Sequence, residues 1–448
     1  MPKTFREWKV EQAWLLPPSV GELVPPGDPS HFVRDLVRDE LDLDAIFDTY
    51  SEERGYPPYH PAMMIALLLY AFTQGIYSSR RIARACVTRV DFMAVTAMQQ
   101  PDFRTISDFR LRHLKALGAL FGQVLKLCQK AKMVKLGHVA LDGTKVKANA
   151  SKHKAMSYDH MKKKMKELEA EVSRWFERAA AADEEEDRTF GADKRGDELP
   201  DWVKDKQKRL EVIRAAKAEL EAEAKAQLAA GVKPSAEKPR DDGPDKPPRS
   251  RSKKRPKKNG EPDDRTQLNF TDPDSKILKG PHGYMQGYNC QAAVDAEAQI
   301  IVAHTTANEQ NDVQQLVPMV KQIRSNLGRN PEELSADSGY LSEQNLEALR
   351  RRGIEGYVAT GKVKHGGEKQ PNLRRVGPLG QKMRTKLARA GPRSRYRLRK
   401  QVVEPVFGQM KDGRGFRGML LRGMTKVPHE WALICTAHNL VKLSRRAA

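Results

Sequence analysis

The sequence predicts a mixed α/β domain that follows an all-helical segment and is interrupted by a long, charged helical insertion. Three observations carry this. Residues 30–130 have helical patterning and include one wholly apolar run, AMMIALLLYAF (62–72). Residues 135–150 and 285–361 change to strand-like alternation and to strands interleaved with helices. Between these stretches, Met161, Met165, Leu168, Val172 and Trp175 recur at helical spacings, and Leu210, Ile213 and Leu220 continue a similar seam.

Each element has a local reason. Pro61 suits the first turn of the apolar helix, because its missing N–H is not needed there. SSRRIARACV (78–87) reads as a basic amphipathic helix, and 104–128 as a longer one with Ser107 as its N-cap. Two short helices followed by an arginine-rich one fit a helix-turn-helix reader of DNA. They fit an ordinary helical domain with a basic face slightly better. KLGHVALDGTKVKANA (135–150) has strand spacing around a turn. The seams of 155–230, separated by a polar break around 183–200, predict an antiparallel pair of long helices. Residues 231–268 are rich in Pro, Lys and Arg, and RSRSKKRPKK (249–258) predicts a disordered linker that orders on a polyanion. Beyond it come two strands around a turn at 295–298, and a helix over 311–328 with Asn311 as cap and Gly328 as stop. A strand ending at Asp337, a helix closed by Gly353, a strand over 355–360 and helical stretches at 396–411 and 428–443 complete the order. The domains are therefore expected at 1–132, at 133–154 joined to 269–448, at 155–230, and in a linker at 231–268.

The 448 residues carry 80 Lys and Arg against 58 Asp and Glu, a formal charge of +22. That excess runs from end to end, so a polyanion is the expected partner and nucleic acid the first choice. Four scattered cysteines form no CxxC pair, which predicts buried thiols in a reducing cytoplasm rather than a disulfide framework or a zinc site. The N-terminus lacks the apolar core of a signal peptide, and the longest apolar run is too short to span a bilayer. No membrane role is expected.

Two acids stand at predicted strand ends, Asp142 and Asp337. On neighbouring strands their carboxylates would meet at one edge, and two such groups repel unless a cation lies between them. Mg²⁺ suits that arrangement, because it takes hard oxygen ligands and keeps waters for a phosphate substrate. A third acid is needed for two ions, and Glu404 is the candidate. Lys400, Glu404 and Lys411 share one broad helix face if the helix is regular, but Pro405 predicts a kink or a helix start at Glu404. Each acid has a plain alternative. Asp142-Gly143 is a hairpin-turn signal, Asp337-Ser338-Gly339 is turn chemistry, and Glu404 with Lys400 is an i,i+4 ion pair.

Four blocks resemble the DDE transposases of bacterial insertion sequences, most of all the group around IS-five and IS-eleven-eighty-two. They are HVALDGTKVKANAS (138–151), LNFTDPDS with GYNCQAAVD (268–295), SADSGYLSEQNL (335–346) and RKQVVEPVFGQMKDGRGFRGMLLRG (399–423). The N-terminal helical segment resembles the amino-terminal domain of the same proteins. The resemblance implies an RNase H-like catalytic domain with Asp142, Asp337 and Glu404 as its acidic triad and metal ligands. It implies two Mg²⁺ ions, replaceable by Mn²⁺, and two-metal phosphoryl transfer that cuts the element's ends and joins them to target DNA. The family signature sets Tyr, Arg, Glu and Lys at fixed spacings. Glu404 and Lys411 fit it, Tyr396 lies one residue upstream of the strict pattern, and Arg399 and Lys400 both answer for the basic position. Tyr396, Arg399, Lys400 and Lys411 are thus the expected DNA contacts. Double-stranded DNA, as terminal inverted repeats and as target, is the implied partner of a homo-oligomer in the nucleoid. An RNase H-like nuclease without strand transfer would use the same acids, and an inactive DNA-binding regulator would need none of them. A structural RNA-binding protein explains the charge but not the acids.

Overall fold

The computed structural model describes residues 19–50, 58–190, 201–232, 234, 255–280, 283–309, 311–361 and 377–447. The chain forms two compact units. One joins Met1–Val146 to Asn289–Ala448, and the other is Lys147–Tyr288.

The first unit begins with helices α1 (Pro29–Asp39), α2 (Asp44–Phe47), α3 (Pro61–Thr73), α4 (Ser79–Thr88), α5 (Val90–Thr96), α6 (Phe103–Arg112) and α7 (Leu114–Lys130). Pro61 opens α3, and nearly every side chain of that helix is buried. The single helix expected over 104–128 is in fact two. Asp102, not Ser107, caps the first, accepting the N–H groups of Arg104 at 2.7 Å and Thr105 at 3.1 Å. Buried His113 leaves helical geometry between the two helices, where its ring stacks on Tyr50.

Strand β1 (His138–Lys147) follows and runs unbroken through Asp142 and Gly143, so the turn expected there does not form. Gly143 does not adopt the positive φ that a hairpin turn would ask of it. The pull on the backbone is lateral pairing: His138–Leu141 match Glu333–Ala336 in parallel register, and Val139, Ala140 and Leu141 are fully buried.

The second unit holds β2 (Ala155–Ser157), α8 (Tyr158–Phe190), α9 (Asp201–Ala229), β3 (Gln267–Asn269), β4 (Lys276–Gly280) and the start of β5 (Gly283–Asp295). The two long helices pack antiparallel, with Met161 and Leu168 of α8 in one cluster with Leu210, Ile213 and Leu220 of α9. Glu169 pairs with Arg214 at 2.8 Å, and Glu171 pairs with Lys206. Val172 is only partly buried. The expected break is shorter than the sequence suggested, because α8 continues to Phe190; 191–200 lie outside the described residues. Of the expected linker, 235–254 also lie outside them. The rest of that stretch, from Arg255 to Leu268, is placed, with Lys257 paired to Asp264 at 2.8 Å. β2 pairs with β3, and β4 with the first residues of β5, both antiparallel.

Back in the first unit, β5 pairs antiparallel with β6 (Ile300–Ala307) around the expected turn. Helix α10 (Leu316–Leu327), β7 (Glu333–Ala336), α11 (Glu343–Arg351), β8 (Glu355–Val358), α12 (Pro378–Ala390), α13 (Leu398–Gly408) and α14 (Val427–Ala447) complete it. The strand order is β6-β5-β1-β7-β8, with β1, β7 and β8 parallel. It is a mixed sheet flanked by helices. Helix α10 starts four residues later than the expected cap would place it, so Asn311 and Asp312 lie in a turn. Pro405 sits inside α13 rather than starting a helix at Glu404, and the next five residues, Gln409–Gly413, widen into a π turn. Helix α14 packs on α1, α3, α7 and β6, so the N-terminal helices and the sheet share one core around buried Trp431. All four cysteines are free and buried. No helix among the described residues is long and apolar enough to cross a membrane.

Candidate active site

The parallel register of β1 and β7 sets the site. Leu141 lies opposite Ala336, so Asp142 and Asp337 are the next residues on two adjacent strands that run the same way. Pairing stops there, and the two carboxylates are held by their own following backbone. The Gly143 N–H donates to Asp142 Oδ1 at 2.9 Å, and the Gly339 N–H donates to Asp337 Oδ1 at 2.7 Å.

Glu404 comes from α13 and is joined to the pair by Arg399 of the same helix. The Arg399 guanidinium donates from Nη1 to Asp142 Oδ2 at 2.6 Å and from Nη2 to Glu404 Oε1 at 2.8 Å. Its side chain is 13% exposed, that of Asp142 16% and that of Glu404 45%. Its Nε–H has no partner among the described residues. The Asp142 carboxyl is pushed up to about 7: burial raises it most, Arg399 lowers it, and Asp337 and Asp312 raise it. Burial works against the Arg399 charge, but Asp142, Tyr396 and Glu404 outweigh it and hold the guanidinium above its ordinary value. One fixed cation therefore stands between two of the three predicted acids.

The predicted basic residues separate. Arg399 is the one at the acids, with its guanidinium 6.0 Å from the centre of the half-buried Tyr396 ring. Lys400 is exposed. Lys411 lies beyond α13 in the π turn, and its Nζ donates to the Lys145 carbonyl at 2.8 Å, with burial lowering its pKa. Lys400 and Glu404 keep the i,i+4 relation within α13, but Lys411 leaves the expected face, because the π turn breaks the helical phase before it.

A fourth acid stands at the site that the sequence reading did not single out. Asp312, in the turn before α10, accepts from Asn289 Nδ2 at 2.7 Å and from Gln291 Nε2 at 2.8 Å, both through Oδ1. Gln291 is itself held by the Tyr340 hydroxyl, and all three of Asn289, Gln291 and Tyr340 are buried. Asn and Gln in the middle of a buried strand, in YNCQAAVD, were the signal available: polar side chains there need partners.

Among the described residues, no three His, Cys, Asp or Glu side chains stand in an arrangement that could hold a metal ion. The donor chemistry nevertheless fits a hard divalent cation: Asp142 and Asp337 supply carboxylate oxygens at adjacent strand positions, and the Arg399 guanidinium already fills the role of a bridging positive charge.

A family model described as a transposase domain (DUF772) matches residues 18–112, and one described as a transposase DDE domain matches residues 263–440. Asp337 and Glu404 fall in the second span, and Asp142 in neither. A Burkholderia cepacia protein named for the transposase of insertion sequence element IS402 is 37% identical over 78 residues, which make up 16% of this chain and 37% of that relative. The chain thus spans little more than a third of the curated relative it matches.

Proposed function

We propose, since the chain belongs to the DDE transposases of insertion sequences, that it cuts DNA at the ends of such an element and joins those ends to target DNA. The mixed sheet with helices on its flanks is compatible with an RNase H-like catalytic domain. Asp142, Asp337 and Glu404 are the residues that would hold divalent cations, Mg²⁺ or Mn²⁺ in its place. Those ions, when bound, supply polarisation of the phosphate and a more acidic attacking water or hydroxyl.

The chain's own residues supply the rest. Asp142 is fixed by the strand and by the Gly143 N–H, so its carboxylate needs no reorganisation. Arg399 neutralises Asp142 and Glu404 in the resting arrangement. Its spare Nε–H lets it turn to a DNA phosphate when another cation takes over the carboxylates. Exposed Lys400 adds a backbone contact beside it, and Lys411 holds the π turn against β1. The overall charge of +22 provides salt-sensitive binding along double-stranded DNA. Assembly on paired DNA ends in the nucleoid, as a homo-oligomer, belongs to the same proposal.

The observation that supports this reading most is the register that makes Asp142 and Asp337 neighbours, with Arg399 linking Asp142 to Glu404. The test is a strand-transfer assay with uncut and pre-cut element ends, run on the wild type and on Asp142→Asn. Cutting and joining by the wild type, both lost in the variant with DNA binding kept, supports the proposal. Cutting without joining of pre-cut ends points to a nuclease. Normal cutting by Asp142→Asn refutes the assignment of the acid. The Arg399 clamp gives one ground for a non-catalytic regulator, and DNA binding without any cutting by the wild type would favour it.

A further inference from the structure

Both acid-bearing segments carry a glycine that turn geometry does not explain. Neither Gly143 nor Gly339 has a positive φ, and Gly143 lies inside an extended strand. A side chain at either would meet the same carboxylate, that of Asp312, among its nearest neighbours. A Cβ on Gly143 would lie 2.8 Å from Asp312 Oδ1 and 2.5 Å from Gln291 Nε2. A Cβ on Gly339 would lie 3.0 Å from Asp312 Oδ2 and 2.9 Å from Asp337 Oδ1. Asp312 is therefore wedged between the segment that carries Asp142 and the segment that carries Asp337.

Among the described residues, the wedge is anchored on one side. Oδ1 takes two amide donors, from Asn289 and Gln291, and Gln291 is tied to Tyr340 and, through its backbone carbonyl, to the Trp431 indole at 3.0 Å. These are polar groups kept inside a sheet core, an arrangement that stabilises only when every member is satisfied. Oδ2 faces the Gly339 side, next to Asp337. A third negative charge beside Asp142 and Asp337 costs stability unless a cation is present. Buried Asn289 and Gln291 of β5 need an acceptor at this position, but an uncharged amide oxygen would serve them as well; they do not require the charge.

We infer that Asp312 is a positioning residue of the site: it holds the Asp142 and Asp337 segments at a fixed separation and adds the charge that draws a divalent cation to them. The glycines at 143 and 339 are small to admit it. This rests on the proposed role of Asp142 and Asp337, and the test separates the two.

The probe is Mn²⁺ alone, titrated by calorimetry and by electron paramagnetic resonance into the full chain without DNA. The proteins are the wild type, Asp312→Asn, Gly339→Ala and Asp142→Asn. Asparagine keeps the shape of Asp312 and its Oδ1 acceptor but removes the charge. Asp312→Asn is expected to bind Mn²⁺ at least about tenfold more weakly, with a metal-free melting temperature no lower than that of the wild type, wild-type DNA affinity and a reduced kcat. Gly339→Ala is expected to shift Mn²⁺ affinity the same way. Wild-type Mn²⁺ affinity in Asp312→Asn overturns the inference. If Asp142→Asn loses Mn²⁺ binding while Asp312→Asn does not, only the role of Asp312 falls. If Asp142→Asn also binds and cuts normally, the underlying reading falls with it.

Discussion

The acid edge of the sheet and the α8–α9 hairpin both contain cation–carboxylate pairs at similar distances, yet the pairs do different things. In the hairpin, Arg214 meets Glu169 with side chains 53% and 42% exposed, and Lys206 meets Glu171 at 35% and 38%. Water screens such contacts, and they contribute little. At the sheet edge Arg399 meets Asp142 with side chains 13% and 16% exposed, and a second acid, Glu404, leans on the same guanidinium. There the charges have few other partners, so each one sets the state of the next. The hairpin draws its stability from its apolar seam. The sheet edge spends stability on charges that a folded core would otherwise shed, and such an expense is what the proposed chemistry would require.

The largest effect that would break this contrast is catalytic. Asp142→Asn should lower DNA cleavage by on the order of a thousandfold, with DNA binding intact; gel-shift and cleavage assays on one preparation decide it. Next comes Arg399→Met, which leaves Asp142 and Glu404 without their cation. It should cost about 3 kcal/mol in urea unfolding, near the low end for a broken buried pair because the site keeps some solvent. Asp142→Asn in that background should return part of the loss, and equal costs in a double-mutant cycle would show the pair to be uncoupled.

The pH response follows. His304 is held neutral by burial at about 4, and burial likewise holds His438 at about 3. Their folded pKa values lie below the ordinary 6.5, so the unfolded chain binds more protons as pH falls. Stability from these residues is complete above pH 6.5 and is lost progressively below it. Amide exchange should therefore accelerate in β6 and α14 between pH 6.5 and 4 before it does in α8 and α9. A uniform response in both units would contradict the contrast. The smallest effect expected is Arg214→Ala, within about 0.5 kcal/mol in the same urea experiment.

Much of the fold was legible because its signals are local. The apolar run of α3, the seam of the hairpin, the Gly353 and Gly328 boundaries and the turn between β5 and β6 all depend on residues a few positions apart. The misplaced features depend on distant ones. Asp142-Gly143 looks like a hairpin until β7, nearly two hundred residues on, holds β1 straight. Ser107 looks like a cap until Asp102, five residues earlier, starts the helix and leaves Ser107 inside it. Arg399 and Lys400 are equivalent as neighbours in a sequence, and only the direction of α13 sends one to the acids and the other to solvent. Asp312 was invisible as a site residue because an Asn-Asp pair before a helix reads as a cap.

Helix α14 has a consequence for how the protein is made. It packs on α1, α3 and α7, which leave the ribosome long before it does, and on β6. The early helices must therefore wait with their apolar faces uncovered until the last of the described residues have been synthesised. Contacts of such long sequence separation slow folding and lengthen exposure to aggregation. A chain stopped before Val427 would lose more than one helix: the first helices and the sheet would lose the surface they share. Translation that halts early thus yields a chain in which the early helices and β6 lack their common partner.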